Sequence, residues 1–147
     1  MITNENTTVR EPRIIRVKPK KKEFQNIVIY TSGSPREEDN YCYWQFVVIA
    51  DDKFLTRKSG FTDTKKVTHV VAQFIAIIEA LNWVANNYPN LKVKIVNSYD
   101  TAVDILNGKE KQKAPHLKIY YDTAKAIQAK TKASFTWMLK TEMSKAF

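Results

Sequence analysis

Ile27-Val28-Ile29-Tyr30-Thr31-Ser32-Gly33-Ser34 is the stretch that decides how the rest of this 147-residue chain is read. Its first five residues are β-branched or aromatic and suit a pleated, buried run. They lead straight into Ser32-Gly33-Ser34, a polar turn signal holding one of only three glycines in the chain. Ser32 is therefore expected at the carboxyl end of a central strand, where sheet-based α/β folds gather their chemistry. A serine there is chemically quiet unless a base stands beside it.

Outward from this strand, Pro35 to Asn40 reads as a turn, and Tyr41 to Ala50 as a second strand, almost wholly apolar or aromatic in its last eight residues and expected to be buried on both faces. Asp51-Asp52 marks a tight turn into a third strand, Lys53 to Lys58. Connections this short make an antiparallel meander. The period then changes. Val70, Phe74, Ile77, Ile78, Leu81 and Val84 recur at three- and four-residue spacing, which predicts an amphipathic helix from Thr68 to Tyr88 with Gln73 on the edge of its apolar stripe. Pro89-Asn90 stops that helix. Leu91 to Val96, with Lys92 and Lys94 alternating against Val93 and Ile95, predicts a fourth strand that runs directly into Asn97-Ser98. A short helix from Tyr99 to Leu106 closes at Asn107-Gly108. After a basic linker, Lys109 to Lys113, Pro115 opens a helix to about Ala129, and Ala133 to Leu139 is the last strand. The order β-β-β-α-β-α-α-β describes an α/β chain of the α+β kind, a five-stranded mixed sheet with helices packed on it.

Charge is unevenly spread. Residues 1–22 carry seven Lys or Arg against two Glu, the middle of the chain is nearly neutral, and residues 109–147 carry nine against three. Residues 1–24 are expected to form a flexible basic arm and 25–147 a single domain. The basic ends suit a phosphate backbone. Arg10, Arg13, Arg16, Lys18, Lys20, Lys21 and Lys22 in the arm, with Lys109, Lys111 and Lys113 in the linker, are the candidate nucleic-acid contacts. A solubilising surface explains the same charges equally well. With one cysteine, Cys42, the chain forms no internal disulfide. No apolar run approaches the roughly 20 residues of a membrane span, and the N-terminus lacks a signal peptide's apolar core, so a cytoplasmic protein is expected.

Three places in this order carry a resemblance. Thr31-Ser32-Gly33-Ser34 ends the first strand, Gln73-Phe74-Ile75-Ala76-Ile77-Ile78-Glu79-Ala80-Leu81 lies on the first long helix, and Asn97-Ser98 ends the fourth strand. The chain resembles the ribonuclease H family, in which those places read Thr-Asp-Gly-Ser, Glu-Leu-x-Ala-x-x-x-Ala-Leu and Asp-Ser. The likeness runs from about Ile27 to Leu139, and Trp137 falls where the family often has an aromatic residue. It implies a ribonuclease H-like fold whose C-terminal helix is truncated here, since the chain stops at Phe147. In the family, carboxylates at those places hold two magnesium ions that activate a water and steady the leaving oxygen. Ser32, Gln73 and Asn97 are neutral, and Glu142 stands too close to the last strand to replace the family's remaining aspartate. They are therefore expected to be vestigial active-site positions, with no catalytic residue and no metal. The paired asparagines before the family's first helix are replaced by His69-Val70, and its glycine-rich first hairpin is acidic here.

Other groups offer weaker chemistry. Asp100 and Asp104 share a helix face but neither ends a strand beside Ser32, and His69, His116 and Cys42 make no metal spacing. The aromatic set Tyr41, Tyr43, Trp44, Trp83, Tyr120, Tyr121 and Trp137 would stack bases if exposed, yet its spacing fits core positions better. The expectation is a pseudoenzyme, a catalytically inactive ribonuclease H-like protein that binds RNA, DNA or a hybrid, or a protein complex acting on them, without cofactor. The alternatives are an architectural or protein-interaction subunit reusing the fold and, less favoured, a divalent-metal-dependent nuclease with rearranged ligands.

Overall fold

The computed structural model describes residues 24–36, 40–64, 68–111 and 114–147. Three antiparallel strands come first: β1 (Ile27–Arg36), β2 (Tyr41–Ala50) and β3 (Lys53–Asp63). Helix α1 (His69–Asn87) leads to β4 (Lys92–Asn97), and α2 (Asp100–Leu106) and α3 (Pro115–Gln128) lead to β5 (Lys132–Trp137). One turn of helix, α4 (Lys140–Met143), and a 3-10 turn, Ser144–Ala146, complete the described chain. The strands form one mixed sheet in the order β3-β2-β1-β4-β5, with β4 and β5 parallel to β1.

Local chemistry accounts for the boundaries. The β2–β3 turn places Asp51 and Asp52 at φ 47° and 68°, the paired left-handed geometry that a two-residue hairpin requires. The Asp51 carboxylate also accepts from the backbone N–H of Asn26 at 2.9 Å, which ties this turn to the start of β1. Thr68 caps α1 by accepting from Val71 N–H. Gly108, at φ 76°, ends α2 by the left-handed route that glycine takes without steric cost.

The core lies between one face of the sheet and helices α1, α2 and α3. Ile27 and Ile29 of β1, Val93 and Ile95 of β4, and Ala133 and Phe135 of β5 point into it beside Phe74, Ile77, Leu81, Ile105 and Leu117. By length and composition α1 alone among the described helices would cross a membrane, but its apolar residues are buried against the sheet.

Two expectations are corrected. Ser32-Gly33-Ser34 is not a turn: β1 continues to Arg36, because pairing with β2 persists through Arg36 opposite Tyr41, and β3 lengthens to Asp63 to match. The second strand is not buried on both faces throughout; only Phe46, Val47 and Val48 are buried in succession, while Tyr43, Trp44 and Gln45 stay half-exposed. The basic arm falls outside the described residues except for Phe24, whose ring meets Tyr88 edge-on at 5.8 Å.

Candidate functional site

Strand parity is what assembles the site. On β1 the buried positions alternate, so Thr31 and Gly33 share the helix-facing side with Ile27 and Ile29, while Ser32 points the other way. At Gly33 the strand backbone presses onto α1: a Cβ there would fall 2.1 Å from the Ala72 carbonyl oxygen. Only glycine permits that approach. It delivers the next helical residue, Gln73, onto the backbone of β1.

Gln73 binds Gly33 at both ends. Its Nε2 donates to the Gly33 carbonyl at 2.7 Å, and its Oε1 accepts from the Gly33 N–H at 3.1 Å. Because Gly33 offers one donor and one acceptor, the orientation of the amide is dictated by its partners. The same Oε1 accepts from Asn97 Nδ2 at 2.9 Å. Asn97 Nδ2 also donates to Thr31 Oγ1 at 3.0 Å, and that hydroxyl donates to the Val96 carbonyl at 2.8 Å. Asn97 Oδ1 accepts from Tyr99 N–H at 2.8 Å, turning the chain from β4 into α2. Thr31, Gln73 and Asn97 are the buried polar side chains among the described residues, and together they form a single satisfied network. At its rim the rings of His69 and Tyr99 stack with centroids 6.4 Å apart, and Trp137 Nε1 donates to the Ser98 carbonyl.

The structure thus joins two of the three positions the sequence singled out. Gln73 and Asn97 touch directly; Ser32 faces away, and Thr31 takes the place beside them. Sequence reasoning missed Thr31, although its parity with Ile27 and Ile29 was the signal for it. Trp137, one of an aromatic set most of which fits core positions, is 45% exposed. Glu142 is exposed on α4 and sits 3.5 Å from Lys145. Asp100 and Asp104 lie on α2, exposed and half-buried. Of the basic candidates, Lys109 and Lys111 are exposed, whereas Lys113 and the seven arm residues lie outside the described residues.

The donor set does not fit the metal pair implied by the resemblance. A magnesium pair is held through carboxylate oxygens, whereas Gln73 Oε1 already accepts two hydrogen bonds and its other terminus is an N–H donor facing a carbonyl. No group of three or more His, Cys, Asp or Glu able to hold a metal occurs among the described residues. Elsewhere, burial raises the Glu79 carboxyl above its ordinary range, and burial, with the Glu79 carboxylate secondarily, pushes the Cys42 thiol up to about 11.

The sheet order and the crossover through α1 define a ribonuclease H-like fold. The chain superposes on the N-terminal RNase H domain of a Mycobacterium tuberculosis protein with a TM-score of 0.71 at 19% identity, covering 82% of this chain and 87% of that one. RNase H1 from the archaeon Halobacterium salinarum gives 0.72 at 16% identity, covering 82% and 91%. The LC11 RNase H1, solved in complex with an RNA/DNA hybrid, gives 0.71 at 21% identity over 82% and 90%. No family profile and no curated protein sequence matches the chain.

Proposed function

We propose that this chain is a catalytically inactive ribonuclease H-like protein that binds nucleic acid, or a complex handling it, without cutting it. The observation that carries this reading is the double hydrogen bond between the Gln73 amide and the Gly33 backbone. A carboxylate cannot make it: one of its oxygens would confront the Gly33 carbonyl where Nε2 now donates. The amide is therefore a working part of the fold, and it supplies no anionic oxygen for metal-dependent hydrolysis. Binding is supported by the basic ends of the sequence and by the hybrid-bound LC11 neighbour. A cytoplasmic protein is part of the same proposal.

The test compares the natural chain with the Ser32→Asp/Gln73→Glu/Asn97→Asp variant. The natural chain is expected to leave a labelled RNA/DNA hybrid intact in magnesium and to melt at the same temperature with or without the ion. The variant is expected to lose stability in chelator and recover it with magnesium. Hybrid cleavage by the purified natural chain, abolished by changing Asp100 or Asp104, overturns the proposal in favour of rearranged ligands.

A second reading, a protein-interaction subunit, is favoured by one feature: Phe61 is 64% exposed yet held between Tyr41 and Tyr43, at 5.2 and 5.3 Å between ring centroids. Association with a protein partner that is insensitive to salt, together with failure to bind any nucleic acid, decides for it.

A further inference from the structure

Helices α1, α2 and α3 pack against one face of the sheet, and the opposite face is left open at the amino ends of β1, β4 and β5. There a cavity of about 770 Å³ is lined by Asn26, Val28, Lys92, Lys94, Lys132 and Ser134, among others, with Asp52 at its edge. Its position follows from strand parity. Val93, Ile95, Ala133 and Phe135 enter the core, so Lys92, Lys94, Lys132 and Ser134 project from the other side, and all four are exposed. Parallel strands are ordinarily apolar and covered on both faces. These carry lysines on the uncovered one.

The arrangement is electrostatically unfavourable as it stands. Lys92 and Lys132 are register partners on neighbouring strands, and Lys94 pairs with Ser134 one step further on. Like charges placed opposite each other destabilise a sheet. None of the three lysines forms an ion pair with a described residue; the described ion pairs are Lys118–Asp122 and Lys145–Glu142. Asp52 alone offsets them in the cavity lining. An anionic ligand would relieve this repulsion. Lys92 and Lys94 stand two residues apart, about 6.6 Å along the strand, which is wider than the oxygens of one phosphate and suits successive phosphates of a polymer. Ammonium groups accept phosphate oxygens in many orientations, and the Ser134 hydroxyl and Asn26 amide add donors of the kind that position a backbone.

We propose that this cavity binds the phosphate backbone of a nucleic-acid strand through Lys92, Lys94 and Lys132, at the end of the sheet opposite the Gln73–Asn97 cluster. The inference rests on the nucleic-acid-binding reading and adds where the strand lies: at the other end of the sheet from Gln73 and Asn97, and on the face those two do not share.

The experiment uses the full chain and a fluorescein-labelled single-stranded oligonucleotide, titrated by anisotropy across a salt series. The Lys92→Gln/Lys94→Gln/Lys132→Gln variant is expected to flatten the plot of log affinity against log salt by about 2, since each single-strand phosphate contact contributes about 0.7. Lys118→Gln, on the exposed surface of α3, is expected to change nothing. Lysine acetylation of the natural chain supplies a readout that needs no variant: the oligonucleotide is expected to protect Lys92, Lys94 and Lys132 but not Lys118. Unchanged slope and affinity in the triple variant, with no protection of the three lysines, overturns the cavity while leaving the binding function standing. A natural chain that binds no oligonucleotide overturns both. Protection by poly-glutamate but not by the oligonucleotide overturns the proposal in favour of an acidic protein partner.

Discussion

Gln73 and Gly33 are bound to each other twice, amide to peptide, across the junction of α1 and β1. The pair resembles one rung of a β-ladder in which the side chain of a helix plays the neighbouring strand. Its geometry depends on Gly33 lacking a side chain and on Gln73 being neutral, and it makes residue 73 a structural element of the fold.

Gln73→Glu is expected to destabilise the chain by about 1–3 kcal/mol at neutral pH, the usual cost of an unsatisfied buried polar group. The new carboxyl would face the Gly33 oxygen in a buried site, which raises its folded-state pKa. Stability is then greatest below the unfolded value of about 4.3 and is lost as pH rises through the folded one. Thermal melts between acid and neutral pH check this; a pH-independent difference contradicts it.

Gly33→Ala is expected to cost at least the upper end of the ~1–3 kcal/mol typical of overpacked sites, since the added methyl meets backbone, 2.1 Å from the Ala72 oxygen. Gly108→Ala serves as the contrast. Among the described residues no atom beyond its chain neighbours lies within 4 Å of its Cβ position, and its cost comes from the left-handed backbone at φ 76°. Urea denaturation of both variants should rank Gly33→Ala as clearly the worse.

Glu79→Gln is expected to stabilise the protein at neutral pH and flatten its pH dependence. Burial raises the carboxyl of Glu79 above its ordinary value, so the folded state holds its proton where the unfolded state has released it. Stability from this group is present at acid pH and falls as pH rises through the folded-state value. Melting temperatures measured across that window should converge for the two proteins at low pH and separate toward neutrality.

Cys42 is expected to resist alkylation in the native state. It is fully buried, and its thiol is pushed up to about 11, so little thiolate exists at neutral pH. Labelling by iodoacetamide should proceed at the rate of global opening and become fast in denaturant. Rapid labelling of the folded chain would place Cys42 in a locally opening part of β2.

The elements and their order were legible along the chain, because those depend on neighbours a few residues apart: the period of Val70, Phe74, Ile77 and Leu81, the Asp51-Asp52 turn, the Asn107-Gly108 stop. It also marked Gln73 and Asn97, whose places at a helix and a strand end were legible through the family resemblance. What these residues meet is set by contacts made far along the chain. Thr31 and Asn97 are 66 residues apart, and Gln73 and Gly33 are 40 apart. Ser32-Gly33-Ser34 carries the composition of a turn, and its conversion into strand came from the ladder with β2, which no local window contains. Lys92 and Lys94 read as ordinary strand alternation until the parallel register set Lys92 against Lys132 on the face away from α1, α2 and α3. Hydrogen bonds and charge pairs act at a few ångströms in space whatever their separation along the chain, so periodicity reveals which face a residue takes, and folding alone reveals what it meets there.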